Sequence, residues 1–535
     1  MSLPVLAQQT ANAAKNTGIQ RPKLVVGIVI DQMRWDYLYR YNNRFGQAGF
    51  KRLLNQGFSC ENTFLPYLPT YTAVGHTCVY TGSVPAVHGI IGNNWYDRSL
   101  NRNMYCSEDS TVQAIGGGVK AGKMSPNNLL TTTITDELRL ASNFKSKVIG
   151  IALKDRGAIF PAGHSANAAY WFDDGNWMTS NYYMEQLPGW VNDYNAKQIP
   201  AKAMKGTWNT LYPIETYTQS TADNKIYEAG ISGLKGNTFP YYLDSAGKKK
   251  FEAFKFTPFA ADYTFDFAKT AIDKERMGSA DVTDFLCISI SSTDYAGHAF
   301  GPNSIEIEDT YLRLDQDIES FLKYLDQKIG KGNYTVFLTA DHAVAHVPGF
   351  LKENKIPAGF YSDSELQKQL NEEVGKLTGF HHSITKIMNY QVYLNKEGIE
   401  KAGQNIANII DIIKKEIIKN PFIAGVYDLP QIMNETLAQP MRERMINGYN
   451  EKRSGDIQML PLPGYFSGTA RGTTHGTWNA YDAHIPLLFY GWGIQQGKLN
   501  REVYMTDIAP TIAALLHIQM PNGAVGKVIE DVIKK

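Results

Sequence analysis

Cysteine is scarce in this chain, and both long apolar runs and an excess of either charge are missing. The 535 residues include four cysteines, and 53 Lys and Arg side chains balance 52 Asp and Glu side chains, which gives a formal net charge of +1. A balanced charge argues against an extended surface for nucleic acid or for anionic membranes. No window of about 20 apolar residues occurs, so we predict no membrane span.

The few cysteines also exclude a zinc site built from thiolates, because no two of them form a Cys-x-x-Cys pair. Cys287 lies in an apolar run and is expected to be a small core residue. Cys60, Cys78 and Cys106 allow one disulfide, which their spacing does not assign.

The first 20 residues lack the basic and apolar segments of an intact export signal. Leu3 to Gln9 does resemble the end of a cleaved secretory signal, so we predict that the chain is the mature form of an exported protein. The pattern of strands and helices breaks at several points along the chain. We therefore predict a tail at 1–22, two insertions at 157–280 and 350–470, and three parts of one core at 23–156, 281–349 and 471–535.

The apolar patterns predict an α/β fold, with a central and mostly parallel sheet flanked by helices and two insertions that form a cap. Four near-continuous apolar runs are typical of strands covered on both faces, at 23–30, 285–290, 335–339 and 485–490. Apolar residues at helical spacing predict a helix from about Ile305 to Gly330, and an amphipathic stretch predicts another over Ile406–Lys419.

The first insertion is rich in aromatic residues, including Tyr170, Trp171, Phe172 and Trp177, and its periodicity is weak. A platform for the sugar or base of a substrate is one interpretation. The favoured interpretation is that these side chains build the insertion's own small core.

Acidic and imidazole side chains follow three of the four predicted strands and precede the other. Asp31 ends the first run, Asp294 and His298 follow the second, Asp341 and His342 follow the third, and His475 precedes the fourth. A strand that ends at a sheet edge delivers its last side chains into the crevice beyond it. Any one such pair is more simply a solvated polar pair, but four clusters at one edge predict a shared metal centre.

Six such ligands, three Asp and three His, are enough for two metal ions. Carboxylate and imidazole suit zinc, and two metal ions about 4 Å apart commonly hold the attacking and leaving oxygens during phosphoryl transfer. Calcium or magnesium in one site is an alternative, although three imidazoles favour a softer ion.

Two further segments supply candidates for phosphate chemistry. Pro69 to Thr77 is predicted to be a loop that enters a helix ending near Gly82, and a hydroxyl at a helix N-terminus experiences the positive end of the helix dipole. Thr70, Thr72 and Thr77 are not separable by sequence, and an ordinary helix cap is the competing interpretation. Asn93 follows Gly92, in a separate loop.

Lys154 and Arg156 come directly after the strand-like run at 148–153. At alternate positions they can point two cations at one anion, and a guanidinium can hold phosphate oxygens through two donors. The competing interpretation is a solvated pair that flanks Asp155.

These motifs, together with the segments Arg21–Asp36, Pro69–Asp97 and Asp482–Trp492, resemble one family closely. The chain is similar to the alkaline phosphatase superfamily, and especially to the phosphate-irrepressible alkaline phosphatases of Bacteroidetes bacteria, from about Pro22 to its C-terminus. Ala343 departs from the Gly that many relatives carry after the Asp-His pair, and this puts the local backbone geometry in question.

The resemblance implies a role for each matching residue. One zinc would be held by Asp294, His298 and His475. The second would be held by Asp31, Asp341 and His342, and Thr72 would bridge to it as the nucleophile. Asn93, Lys154 and Arg156 would contact the non-bridging phosphate oxygens. His484 lies near His475 in the sequence, and the motif match favours His475.

The implied activity is a zinc-dependent alkaline phosphatase with two Zn²⁺ per chain. It would hydrolyse small phosphate monoesters through a phosphothreonine intermediate, as a monomer in the periplasm or outside the cell. A phosphodiesterase or nucleotide pyrophosphatase shares the same ligands, but Lys154 and Arg156 argue against it because they favour a dianionic monoester.

Two more distant alternatives are weaker. A sulfatase needs Cys or Ser in Cys/Ser-x-Pro-x-Arg, which Thr72-Ala73-Val74-Gly75 does not provide. A non-enzymatic protein that binds carbohydrate or a surface would leave the metal-ligand clusters without a purpose.

Overall fold

The computed structural model describes residues 19–534, so the predicted signal remnant at Leu3–Gln9 and most of the predicted tail lie outside the described residues. A ten-stranded sheet forms the centre of the molecule. Two of its strands, His484–Gly491 and Asn176–Ser180, run against the others. The predicted α/β class with a mostly parallel sheet is therefore confirmed. The strands, in order across the sheet, are Gly497–Tyr504, Phe58–Phe64, His484–Gly491, Tyr334–Thr339, Leu24–Ile30, Asp284–Ile290, Val148–Ala152, Ala168–Asp173, Asn176–Ser180 and Ala114–Ile115.

The middle of the sheet consists of the apolar runs that the sequence marks most clearly. Leu24–Ile30 pairs in parallel with Asp284–Ile290 on one side and with Tyr334–Thr339 on the other, and every residue of the three strands is buried. Such strands must be apolar on both faces because helices cover both sides. The helices of eight or more residues are Thr72–Thr81, Ile134–Ala141, Asp155–Ala162, Gly189–Ala196, Phe259–Lys274, Ser292–Phe300, Ile305–Leu325, Asp363–Thr378, Ile406–Ile417, Gln439–Gly448 and Ile508–Leu516.

The long helix predicted from about Ile305 to Gly330 is present. It begins where the Ser304 hydroxyl accepts the N–H of Ile307, a cap that satisfies one of the open donors of the first turn. Regular α-helix extends to Leu325, and a short π-helical segment continues the chain over Asp326–Gly330.

The aromatic segment contributes two strands to the main sheet. Ala168–Asp173 and Asn176–Ser180 form a hairpin whose turn residues, Asp174 and Gly175, both have positive φ. An Asp-Gly pair between two apolar runs is a strong hairpin signal, so this feature was available in the sequence. Trp177 is fully buried, and its ring stacks on Tyr263 and Phe267 with centroid distances of 5.0 and 4.5 Å. These aromatic side chains thus build core, as predicted, but it is the core of the main sheet and not a separate small core of an insertion.

The second predicted insertion forms a lobe with its own apolar core. Its sheet has four strands, in the order Ile384–Met388, Gln391–Leu394, Ile457–Pro461 and Ile423–Asp428. The predicted amphipathic helix is present over Ile406–Ile417 and buries Ile409, Ile413 and Ile417 against this core. The exact domain boundaries remain a prediction.

Cys60, Cys78, Cys106 and Cys287 are all buried free thiols. The disulfide that the sequence allowed among the first three is not formed, and Cys287 is a core residue as expected. Within residues 19–534, no helix combines the length and the apolar character that crossing a bilayer requires.

One buried carboxylate makes a testable contribution to stability. Asp136 lies in the first turn of the helix Ile134–Ala141, where its carboxylate accepts hydrogen bonds from the N–H of Thr133, the N–H and hydroxyl of Ser165, and His164. Burial alone would raise the pKa of Asp136, but these donors outweigh it and lower the pKa from 3.8 to about 2. The folded state therefore favours the ionised form.

We expect Asp136→Asn to reduce the free energy of unfolding at pH 7 by about 2 kcal/mol. The pKa is depressed on folding, so this contribution is present above the unfolded pKa of 3.8 and is lost as the pH falls towards 2. Urea unfolding at pH 7 and at steps below pH 4 measures the difference from wild type. Asp193→Asn, at an exposed position, is the control. A difference that stays constant below pH 4 would contradict this account.

Candidate active site and metal centre

The predicted ligands meet at one edge of the sheet because of how the strands run. Asp31 directly follows Leu24–Ile30, and Asp294 lies in the first turn of the helix after Asp284–Ile290. Asp341 and His342 follow Tyr334–Thr339. His475 precedes His484–Gly491, and because that strand is antiparallel its beginning lies at the same edge. All five side chains are buried.

The ligands form two groups that share one imidazole. Asp31, Asp341 and His342 form the first group, with His342 Nε2 at 3.4 Å from Asp341 Oδ2 and 3.6 Å from Asp31 Oδ1. Asp294, His342 and His475 form the second, with His475 Nε2 at 3.8 Å from Asp294 Oδ1.

His298, expected in the second group, also reaches Asp294. Its Nε2 lies 3.1 Å from Asp294 Oδ1, and its ring centroid is 5.2 Å from that of His475. The structure thus brings all six predicted side chains together. It differs from the expectation in that His342 stands between the two groups, with its ring stacked on His475 at 3.5 Å.

All three imidazoles are oriented through the same ring nitrogen. The Nδ1 of His298 contacts the carbonyl of Thr473 at 2.8 Å, that of His342 contacts Ala343 at 3.0 Å, and that of His475 contacts Thr70 at 2.6 Å. A carbonyl only accepts, so each Nδ1 carries a proton, and each Nε2 lies on the side of the carboxylates, where a neutral imidazole can offer its lone pair to a cation. This outer support is typical of histidines that bind metal.

Two carboxylate oxygens test whether the site suits a cation. Asp31 Oδ1 and Asp341 Oδ2 are fully buried and form no hydrogen bond of good geometry with the described residues, although His76 Nδ1 lies 3.3 Å from Asp341 Oδ2. A buried carboxylate oxygen without a donor is costly unless a cation lies against it. Three carboxylates and three imidazoles, each of which can bind a metal in its neutral form, therefore make a donor set that fits two divalent ions of the zinc class.

The electrostatics keep His342 and His475 in their neutral ligand form, whereas the Asp294 carboxylate and the Thr473 carbonyl outweigh burial and raise the pKa of His298. Burial, together with the charges of His342 and His298, lowers the pKa of His475 well below its usual value. Burial likewise lowers the pKa of His342, although Asp341 and Asp294 oppose the shift. Burial would raise the pKa of Asp294, but His298 and Lys154 hold it well below the ordinary value.

Thr72 is the first residue of the helix Thr72–Thr81, and the cap is the preceding Tyr71, so Thr72 is not the helix cap. Its Oγ1 lies 3.4 Å from His342 Nε2. The hydroxyls of the other two candidates are committed elsewhere, since Thr70 donates to the Thr477 carbonyl and Thr77 to the Ala73 carbonyl. Among the three threonines, Thr72 is therefore the one whose hydroxyl faces the ligand cluster.

The helix that carries Thr72 approaches the Asp341 segment very closely. A Cβ added to Gly75 would lie 2.1 Å from the Asp341 carbonyl oxygen, so no larger residue fits there. Asn93 lies on the other side of the helix start, where its Oδ1 accepts the N–H of Ala73 at 2.9 Å. No hydrogen bond among the described residues uses its Nδ2 hydrogens.

Lys154 directly precedes the helix Asp155–Ala162, Arg156 lies in its first turn, and the two cations contact different partners. Lys154 Nζ bridges Asp31 Oδ2, at 2.6 Å, and Asp294 Oδ2. Burial opposes its charge, but the carboxylates of Asp294 and Asp31 outweigh burial and raise the pKa of Lys154 above its usual value. Arg156 Nη1 donates to the Tyr105 hydroxyl at 3.0 Å, and that hydroxyl donates to Asp155 at 2.6 Å.

His484 lies apart from the ligand cluster. Its Nε2 donates to the Glu61 carbonyl at 2.8 Å, and its ring is stacked between Trp35 and Phe64. The geometry therefore favours His475, as the motif match does.

Two supporting residues were missed at the sequence level. His76 Nδ1 lies 2.9 Å from the Thr72 carbonyl and 3.3 Å from Asp341 Oδ2, and its position four residues after Thr72 on one helix face was the available signal. Gln32 donates its backbone N–H to Asp341 Oδ1 and its Nε2 to Asp294 Oδ1, and it adopts a positive φ of 68°. Nothing in the sequence marks that conformation.

Comparison with known proteins identifies the group to which this site belongs. The family model for type I phosphodiesterases and nucleotide pyrophosphatases matches residues 25–484. The alkaline phosphatase PafA of Elizabethkingia meningoseptica is 50% identical over 529 residues, which cover 97% of this chain and 96% of that protein. The chain belongs to the alkaline phosphatase superfamily. As the sequence predicted, it is an enzyme of the alkaline phosphatase class.

Two other relatives also match over nearly the whole length of this chain. The alkaline phosphatase PhoV of Synechococcus elongatus is 50% identical over 549 residues, covering 100% of this chain and 99% of that protein. A protein of Myroides odoratus named calcium-transporting ATPase is 53% identical and covers 97% of this chain and 96% of its own length.

Solved structures confirm the fold of this alkaline phosphatase. A crystal structure of wild-type PafA superimposes with a TM-score of 0.94 at 49% identity, covering 97% of this chain and 100% of that one. Murine ectonucleotide pyrophosphatase/phosphodiesterase 5 shares the fold at 14% identity, with a TM-score of 0.52.

Proposed function

We propose that this alkaline phosphatase is a zinc-dependent phosphomonoesterase that works through a phosphothreonine at Thr72. The observation that carries the proposal is the placement of the Thr72 hydroxyl beside His342, the imidazole shared by the two carboxylate-imidazole groups. Two bound Zn²⁺ would supply positive charge to the attacking and leaving oxygens of the ester. Asp31, Asp341 and His342 would hold one ion, and Asp294, His298 and His475 the other.

The chemistry assigned to the protein's own residues is a two-step displacement. Thr72 Oγ1 gives up its proton to solvent and forms a bond to phosphorus as the bond to the alcohol oxygen breaks, and that oxygen takes up a proton from solvent and leaves as the alcohol. Water then attacks the phosphothreonine, breaks its Oγ1–P bond and releases inorganic phosphate. Asn93 Nδ2 and the cations of Lys154 and Arg156 would face the non-bridging oxygens, where positioning and neutralised charge supply most of the catalysis.

The cation pair is the reason to prefer monoesters over diesters. A monoester carries two negative charges and a diester one, so two cations at the non-bridging oxygens favour the monoester. The names of PafA and PhoV agree with a phosphatase. A solved structure of a PafA variant carries substitutions of a threonine, an asparagine, and a lysine and an arginine two residues apart. The same residue types in the same order are Thr72, Asn93, Lys154 and Arg156.

The family model names phosphodiesterases, and this makes a diesterase the second candidate.

We further propose that the enzyme acts on small phosphate esters as a monomer, in the periplasm or outside the cell. The resemblance of Leu3–Gln9 to the end of an export signal supports the location. Fractionation of cells that express the native gene would test it, and a cytoplasmic enzyme would contradict it.

Metal reconstitution tests the proposed function. Chelator-treated protein should lose hydrolysis of para-nitrophenyl phosphate at alkaline pH, and activity should return in proportion to added zinc up to two equivalents per chain. Calcium and magnesium, added separately, should restore much less. Full activity with one equivalent, or with calcium alone, would overturn the assignment of two zinc ions.

Replacing His76 should weaken zinc binding without altering the ligands themselves. His76→Ala removes the imidazole that contacts Asp341 Oδ2, and we expect a loss of about 10- to 100-fold in zinc affinity. Competition with a chromophoric chelator measures it. His381→Ala, in the separate lobe, is the control. An unchanged affinity would show that His76 only fills space.

A further inference from the structure

A hairpin of the second insertion reaches the active site with an unusual turn. Its strands, Ile384–Met388 and Gln391–Leu394, are joined by Asn389 and Tyr390, with φ values of 57° and 60°. Turns with two positive φ values are common in hairpins, and Asn suits them. Tyr390 does not, because a bulky side chain rarely adopts this conformation, and such outliers concentrate at functional sites.

Asn389 contacts the loop that carries Asn93. Its Nδ2 donates to the Asn94 carbonyl at 2.7 Å. A Cβ added to Gly92 would lie 2.7 Å from the same Nδ2, so the glycine makes this approach possible. Gly92 and Asn94 flank Asn93, and Asn389 thereby fixes the backbone on both sides of it.

Tyr390 contacts the loop that carries His475. Its hydroxyl lies 3.4 Å from the His475 carbonyl, and a Cβ on Gly476 would lie 2.9 Å from its ring. The ring is buried. The backbone carbonyl of Tyr390 accepts hydrogen bonds from the N–H of Met459 and from Gln458 Nε2. The strand that carries Met459 and Gln458 therefore holds Tyr390 in its left-handed conformation.

We propose that Asn389 and Tyr390 are positioning residues, which hold the Asn93 loop and the His475 loop at a fixed separation on either side of Thr72. Asn389 acts on the phosphate-binding side and Tyr390 on the metal-binding side. The inference rests on the proposed function, since it assigns the two contacted loops to phosphate and to metal. It gives the second insertion a part in the reaction beyond covering the sheet.

Two variants separate the two sides. Asn389→Gly keeps a residue that favours positive φ but removes the amide, and it should raise both KM for para-nitrophenyl phosphate and the inhibition constant of phosphate about tenfold. Its zinc content should be unchanged. Tyr390→Leu removes the ring from Gly476, and it should lose zinc to a chelator several times faster than wild type while the phosphate inhibition constant changes less than twofold.

Val392→Ala is the matched control, because Val392 is fully buried in the same lobe and pairs with Ile387 and Ile457 inside that lobe's own sheet. It should lower the melting temperature but leave the phosphate inhibition constant and the rate of zinc loss unchanged. If Val392→Ala changes the phosphate inhibition constant and the rate of zinc loss as strongly as Asn389→Gly and Tyr390→Leu do, the hairpin has only a structural role and the inference fails. It also fails if Asn389→Gly leaves phosphate inhibition unchanged in an active enzyme. Absence of phosphomonoesterase activity in the wild type would instead reject the proposed function.

Discussion

Thr72→Ala should lower kcat/KM for para-nitrophenyl phosphate by about 10⁴-fold or more, because loss of a covalent nucleophile leaves only binding and electrostatic catalysis. The variant should keep its fold and its zinc, since the removed hydroxyl contacts only His342 Nε2 among the described residues. Steady-state kinetics with metal analysis measures both. Mass spectrometry of wild type quenched in acid during turnover should find phosphate on the peptide that contains Thr72.

The neighbouring threonines provide a control for this prediction. Thr77→Val removes a hydroxyl that donates to the Ala73 carbonyl inside the same helix, and it should keep activity within a few-fold of wild type. Equal losses in Thr72→Ala and Thr77→Val would indicate general damage to the helix. High activity in Thr72→Ala would remove Thr72 from the reaction.

Removing the two cations should change substrate preference as well as rate. Lys154→Ala combined with Arg156→Ala should lower kcat/KM for para-nitrophenyl phosphate by about 10³-fold, since loss of one donor to a developing charge typically costs about 10²- to 10³-fold and the losses of donors that act as a unit do not add. Hydrolysis of bis-para-nitrophenyl phosphate should fall much less, because a diester carries one charge fewer.

Arg156→Ala alone is the cleaner test of the same idea. Lys154 also contacts Asp31 and Asp294, and its removal leaves two buried carboxylates without a cation and is expected to affect metal binding. Arg156 contacts the Tyr105 hydroxyl, and none of its hydrogen bonds within residues 19–534 reaches a proposed metal ligand. Arg98→Ala, which breaks an ion pair with Asp456 outside the site, controls for loss of charge. Equal losses for both substrates in Arg156→Ala would show that the guanidinium does not select monoesters.

The sequence predicts those parts of the fold in which the local pattern of apolar residues matches the element that forms. Leu24–Ile30 and Ile305–Leu325 were found within a few residues of their true bounds, because a buried strand and an amphipathic helix each have a strong apolar period. The hairpin at Ala168–Ser180 was missed although its Asp174-Gly175 turn was visible. The aromatic composition of this segment predicts an insertion, whereas the structure has it as two strands of the main sheet.

The sequence predicts which residues form the candidate site but not how those residues are arranged in it. Each ligand follows or precedes a marked strand, which is a local signal, whereas the shared position of His342 depends on how three strands pack side by side. The same holds for the contact of His76 with Asp341 and for the reach of Asn389 to Asn94, which joins residues 295 positions apart in the chain. Contacts of this kind leave no periodic pattern in a single sequence.

The most direct test of the central claim compares para-nitrophenyl phosphate with bis-para-nitrophenyl phosphate at alkaline pH, for the wild-type enzyme with zinc and with chelator. A zinc-dependent phosphomonoesterase should prefer the monoester strongly and lose that activity when zinc is removed. A preference for the diester would mean that Lys154 and Arg156 do not face the substrate and that the enzyme is a diesterase. Turnover of the monoester that persists in chelator would contradict the metal centre.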